Sequence, residues 1–207
     1  MVTQGYRLWK PAALAETRRY GRGMRIAALI LAAGLAFTLG GCVKDDGPIV
    51  PKPLPSSTPI FASDEEALAA AEEAYGAYQV VEDQIFNAGG AGEEKVREYA
   101  TGDALDAALA GFKKFQSSGY HSVGSTAFQV TELQQYLPFA DDGVGVVSIY
   151  ICLDVSQVDV VDASGQSVVS STRPPRQAFE ASFDQATGST LILSTLEPWT
   201  GAGVCAE

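Results

Sequence analysis

The hydrophobic pattern changes period at Tyr120, and this limits the possible folds more than any other feature of the 207 residues. Upstream, apolar residues recur three or four apart, the spacing of one helix face. Ser63 with Glu66 three residues on forms a capping-box pattern, and Asp64, Glu65 and Glu66 suit the positive end of a helix dipole. Leu68, Ala71, Tyr75, Tyr78, Ile85 and Phe86 then share one side, so a helix is predicted from Ser63 to about Asn87. The run Gly89-Gly90-Ala91-Gly92 ends it. That run is not a phosphate loop, because a helix precedes it and no Lys-Ser or Lys-Thr follows. A short helix over Glu93 to Tyr99 is predicted next. A third follows from Gly102 to Ser118, capped by Thr101, with Leu105, Ala108, Leu109, Phe112 and Phe115 on its apolar face.

Downstream, the pattern alternates. Val123 to Tyr136 reads as one long strand, and Asp141-Asp142-Gly143 as a hairpin turn. Val144 to Val155 reads as a second strand. Val147, Ile149, Ile151, Leu153 and Val155 form its aliphatic face; Val146, Ser148, Tyr150, Cys152 and Asp154 form a mixed one. Val158 to Val161 and Ser167 to Ser170 flank another turn. Arg176 to Phe183 and Ser189 to Leu196 give the last two strands, joined through Asp184 to Gly188, and an irregular tail follows from Pro198. Helices first and an antiparallel sheet after define the α+β class.

The first 62 residues lie outside this pattern. Arg18, Arg19, Arg22 and Arg25 precede an apolar run, Ile26 to Leu39, too short for a comfortable membrane span of roughly 20 residues. Leu39-Gly40-Gly41-Cys42 closes the run. Pro48, Pro51, Pro53, Pro55 and Pro59 then disallow helix and favour an extended linker. With these residues the chain resembles a bacterial lipoprotein. The resemblance implies a leader over residues 1–41, which starts at Met1 or at Met24, and a Cys42 thiol that takes a diacylglyceryl group and becomes the new N-terminus. It implies a lipid-anchored protein on the outer face of the cytoplasmic membrane. Each buried methylene of the anchor contributes about 0.8 kcal/mol, and stable anchoring takes about two acyl chains. An ordinary secretory signal and an uncleaved anchor are the alternatives.

The first 41 residues take 6 of the 14 Lys and Arg and one of the 25 Asp and Glu. Residues 42–207 therefore hold 8 basic against 24 acidic residues, a formal charge of −16. So acidic a surface argues against nucleic acid as a partner and against direct adhesion to anionic lipid. With Cys42 assigned to lipid, Cys152 and Cys205 remain in an exported, oxidising setting, and a disulfide between them is expected. Two free thiols are the alternative. If the aliphatic face of the second strand meets the helices, Cys152 points away from them. The bridge would then hold the C-terminal tail, with Trp199, over Tyr150 on the opposite face.

The order of elements over about Ser63 to Leu196 resembles the NTF2-like superfamily. The tyrosine-bearing first helix, the Thr101-Gly102-Asp103 entry to the third helix and the hairpin at Asp141-Asp142-Gly143 carry the likeness. It implies a cone, with residues 63–207 as one domain whose helices lie across a concave sheet. Some members of that superfamily are enzymes; many only bind or dimerise, and the fold does not choose between them.

Few residues offer chemistry. His121 is the one histidine, so zinc-ligand spacing is lacking, and no metal or cofactor is implied. His121 and Asp154 are the candidate catalytic residues, with Asp103 as an alternative carboxylate; Tyr75 and Tyr78 are the candidate ligand-binding residues. Three readings follow. The first is a non-enzymatic, lipid-tethered protein that binds an envelope protein or a small apolar ligand, with a dimer as an option. The second is a small enzyme of the isomerase or dehydratase type that uses His121 and a carboxylate. The third is a structural accessory to an envelope complex.

Overall fold

A computed structural model describes residues 58–205 apart from Asp141. Cys42, the leader and most of the linker lie outside the described residues. Helix α1 (Asp64–Asn87) begins where the capping pattern places it: the Ser63 hydroxyl accepts the Glu66 N–H at 3.3 Å. The Glu66 carboxylate reaches back one residue further than a capping box requires and accepts the Ala62 N–H at 2.8 Å. Gly90 explains the end of the helix. Its φ of 90° is left-handed, and a Cβ there would press into the Phe112 carbonyl, so glycine lets the next helix approach closely.

A 3-10 helix (Glu93–Glu98) and α2 (Gly102–Ser118) follow. Thr101 takes the N-cap position of α2 with an extended backbone, but its side chain caps nothing, contrary to expectation. The main chain is tied to the sheet instead: the Thr101 N–H donates to the Leu193 carbonyl at 2.8 Å, and the Leu193 N–H donates to the Tyr99 carbonyl at 3.1 Å. On α2 the centre of the buried face is Ala104, Ala108 and Phe112. The small residues let the helix sit close to the strands, while Leu105 and Leu109 pack at the margin.

The strands are β1 (His121–Val123), β2 (Ala127–Tyr136), β3 (Val147–Asp154), β4 (Asp159–Val161), β5 (Arg176–Thr187) and β6 (Thr190–Pro198). Strands β2-β3-β5-β6 form a curved antiparallel sheet in that order, and β1 pairs with β4 in a separate two-stranded sheet. Strand boundaries differ from the sequence reading: β3 begins at Val147 and not Val144, β6 runs on to Pro198, and three larger differences have visible causes. The long strand expected over Val123 to Tyr136 breaks into β1 and β2, because Gly124 turns left-handed (φ 95°) where a Cβ would collide with the Gln157 carbonyl. Ser167 to Ser170 form no strand and meet Val161 through a single bridge; β4 pairs with β1 instead. Strand β5 runs four residues past Phe183 to Thr187, and the turn tightens to Gly188-Ser189.

The parity of β3 is as read from Val147 on; Val146, read onto the mixed face, precedes the strand and is buried in the core. Val147, Ile149 and Ile151 are fully buried beneath the helices with Tyr75, Phe112, Phe183 and Leu193. Each such side chain contributes about 1.5–3 kcal/mol by burial. Tyr136 fixes the entry of the linker: its hydroxyl accepts the Phe61 N–H at 2.6 Å and donates to the Phe61 carbonyl at 2.7 Å. Among the described residues no helix is long and apolar enough to cross a membrane.

Candidate functional site

Two groups of polar side chains among the described residues frame candidate sites, one on α1 and one on the face of the large sheet turned away from the helices. On α1, Tyr75, Tyr78, Gln79, Glu82 and Asp83 recur at helical spacing and so project toward the same side. The Tyr75 hydroxyl donates to Gln79 Oε1 at 3.0 Å. Gln79 Nε2 donates to Glu82 Oε2 and to Asp83 Oδ1, each at 3.2 Å, and the Tyr78 hydroxyl donates to Glu82 Oε1 at 2.7 Å. Asp83 passes the chain to the β1–β2 junction, where it accepts the Thr126 N–H at 2.8 Å and the Thr126 hydroxyl at 3.0 Å.

This network sets the electrostatics of α1. Burial pushes the Glu82 carboxyl up to about 7, helped by the charge of Asp83 and opposed by the hydrogen bonds from Tyr78 and Gln79. Burial also holds the Tyr75 and Tyr78 hydroxyls well above the ordinary phenol value, with the charge of Glu82 adding to the shift. Tyr75 and Tyr78, read from sequence as ligand-binding candidates, are core residues whose hydroxyls are satisfied within the helix. Tyr75 packs edge-on against Phe128 of β2 at 4.9 Å between ring centroids. Glu82 and Asp83 escaped the sequence reading. The signal was present: Glu82 stands four residues after Tyr78 and three before Ile85, a carboxylate within the apolar stripe.

The structure places the catalytic candidates on different elements. His121 is exposed on β1, opposite Val161. Asp154 sits at the end of β3, opposite Ala127 and Arg176. Its carboxylate accepts the Ser156 N–H at 2.9 Å, and hydrogen bonding from Ser156 holds it below the usual carboxylate range. Asp103 lies in the first turn of α2. Among the described residues no hydrogen bond joins His121 to a carboxylate, and no group of three His, Cys, Asp or Glu could hold a metal ion.

The other face of the sheet is organised by the disulfide. Cys152 and Cys205 are bonded, with their Cα atoms 5.2 Å apart. The bond holds the C-terminal tail across the strands, so that Trp199 lies over Tyr150 with ring centroids 4.7 Å apart, as the parity of β3 predicts. The backbone N–H of Trp199 donates to the Ala178 carbonyl at 2.8 Å, and 37% of the residue stays exposed. Strand register then sets one row across all four strands: Glu132, Tyr150, Glu180 and Glu197. The next row holds Gln135, Ser148, Ser182 and Thr195, with the Ser148 and Ser182 hydroxyls 2.8 Å apart.

No family model and no curated protein sequence matches this chain. Among solved structures, a solution NMR structure of a de novo designed beta-sheet protein aligns at 15% identity and a TM-score of 0.28. The alignment covers 67% of this chain and 92% of that one. A similarity at that level carries no argument about fold family or function.

Proposed function

We propose that this chain is a lipid-anchored extracytoplasmic protein of the bacterial envelope, held to the outer face of the cytoplasmic membrane through Cys42, with a non-enzymatic binding or accessory role. On this reading residues 63–207 form an NTF2-like cone whose function lies on the outside of the sheet. The observation that carries it is where the side chains go. The space between helices and sheet is taken up by Tyr75, Ile149, Ile151 and Phe183, all with no exposed surface, while the opposite face presents a row of polar residues and an exposed tryptophan. The leader pattern before Cys42 and the proline-rich segment after it support the anchor. Fractionation of cells that express wild-type or Cys42→Ala protein tests the reading: the wild type is expected in the membrane fraction and the variant in the soluble or uncleaved pool. The uncleaved form keeps its apolar run and stays with membranes, so size and acylation are read in each fraction; a variant as short and as acylated as the wild type contradicts the reading.

One observation favours a rival, a small enzyme of the isomerase or dehydratase type. Glu82 has a carboxyl raised to about 7, the range useful to a general acid or base. It would serve in place of the His121 and Asp154 pair. Glu82→Gln and His121→Ala separate the two readings: the binding role survives both substitutions, and an enzyme is disabled by at least one.

A further inference from the structure

We infer that the outer face of the sheet is a docking surface for a basic, arginine-bearing segment of a partner protein. The inference rests on the binding reading above and names the partner's chemistry. Its first support is an uncompensated charge pattern. Glu180 and Glu197 stand directly opposite each other on neighbouring antiparallel strands, an arrangement that destabilises a sheet when no cation lies between. Glu132 joins the same row on the far side of Tyr150. Arg176 is the one Lys or Arg in the four strands, and it stands opposite Asp154, away from this row. A cationic partner would remove the repulsion that these four strands leave in place.

The second support is aromatic. Trp199 and Tyr150 stack beside the carboxylates, and the disulfide fastens the tail that carries the tryptophan. Burial raises the Tyr150 hydroxyl above its ordinary value, and the charges of Glu180 and Glu132 add to the shift, so both carboxylates lie close enough to act on it. The exposed part of the indole, next to carboxylates, suits a guanidinium, which packs against the ring and hydrogen-bonds in a fork to the acidic groups. Spacing decides between a metal and a chain. Strands lie about 4.8 Å apart, so Glu132 is about 10 Å from Glu180 along the row. That spread exceeds one metal's coordination sphere, and two arginines two residues apart share one face of an extended segment about 7 Å apart, close enough for their long side chains to reach both carboxylates. Among the described residues no three acidic side chains converge as metal ligands.

The test is calorimetric titration of the protein, isolated in detergent from its membrane, with a blocked peptide of alternating arginine and serine. The Glu–Ser peptide is the control. Binding of the first peptide only is expected. Glu180→Gln with Glu197→Gln should weaken it about fivefold or more, and Glu132→Gln alone, on an exposed edge-strand position, should weaken it about twofold or more. Neutralising Glu94 and Glu98 on the 3-10 helix should leave it within about twofold. Equal losses from both pairs would mean binding to bulk charge and would overturn the inference. So would no binding at all, displacement of the peptide by calcium alone, or self-association through this face. Because the titration is done in solution, failure here leaves the Cys42 anchor standing.

Discussion

Glu82 on α1 gives the sharpest quantitative prediction. Its carboxyl rises from an ordinary value of 4.5 to about 7 in the folded chain, with burial as the leading cause. Below about pH 4.5 the group is protonated in both folded and unfolded chains, and its contribution to stability is fully present. Between that pH and about 7 the unfolded chain releases the proton more readily, so stability falls as pH rises and the contribution is gone above about 7. The shift corresponds to about 3 kcal/mol. Glu82→Gln removes the titration but sets two amide groups against each other where Gln79 Nε2 now donates at 3.2 Å, a loss of about 1 kcal/mol. The variant should therefore be more stable than wild type by about 2 kcal/mol near pH 8, a rise of about 4–8 °C in Tm. Near pH 5 it should be equal or slightly less stable. Thermal melts followed by circular dichroism across that range decide the matter. A difference between variant and wild type that does not change with pH refutes the reasoning, because Glu82 would then titrate alike in both states.

Three further outcomes follow from the geometry. The disulfide closes 53 residues of chain, worth roughly 4 kcal/mol in the chain-entropy model, so Cys152→Ser with Cys205→Ser should lower the denaturant midpoint accordingly, and a thiol assay on the unreduced wild type should find neither sulfur reactive. Gly90→Ala should destabilise by about 2 kcal/mol or more, since it adds a Cβ against the Phe112 carbonyl at a left-handed φ; urea unfolding reads this. His121→Ala, at an exposed position on β1, should change the same midpoint by less than about 0.5 kcal/mol.

The helical half of the domain was legible because its signals are local. Ser63, Glu66 and the glycines after Asn87 fix α1 almost to the residue, and α2 runs from Gly102 to Ser118 as read. Strand β3 was legible in parity, and with it the placement of Trp199 over Tyr150. The β1–β2 break was not, because it depends on a close approach between Gly124 and Gln157, 33 positions apart in the chain, and on the Asp83 carboxylate that holds Thr126. The partner of β4 was hidden for the same reason. Its short hydrophobic run has a neighbouring strand-like run at Ser167 to Ser170, yet pairs with distant β1. Among the polar sites, Tyr75 and Tyr78 were visible as aromatic residues at helical spacing. Their partners, Gln79 for Tyr75 and Glu82 for Tyr78, were not singled out, because a Gln or Glu on a helix is ordinarily solvated. The row from Glu132 to Glu197 needs the register of four strands, and two β-bulges in β2 shift that register in a way no single strand reveals.

In the function proposed above, one sulfur, that of Cys42, carries the lipid that tethers the domain to the membrane. Intact-protein mass spectrometry of the chain isolated from its native membrane tests it most directly. The expected species begins at Cys42 and bears the added mass of a diacylglyceryl group. A chain that begins elsewhere, or an unmodified Cys42, contradicts it.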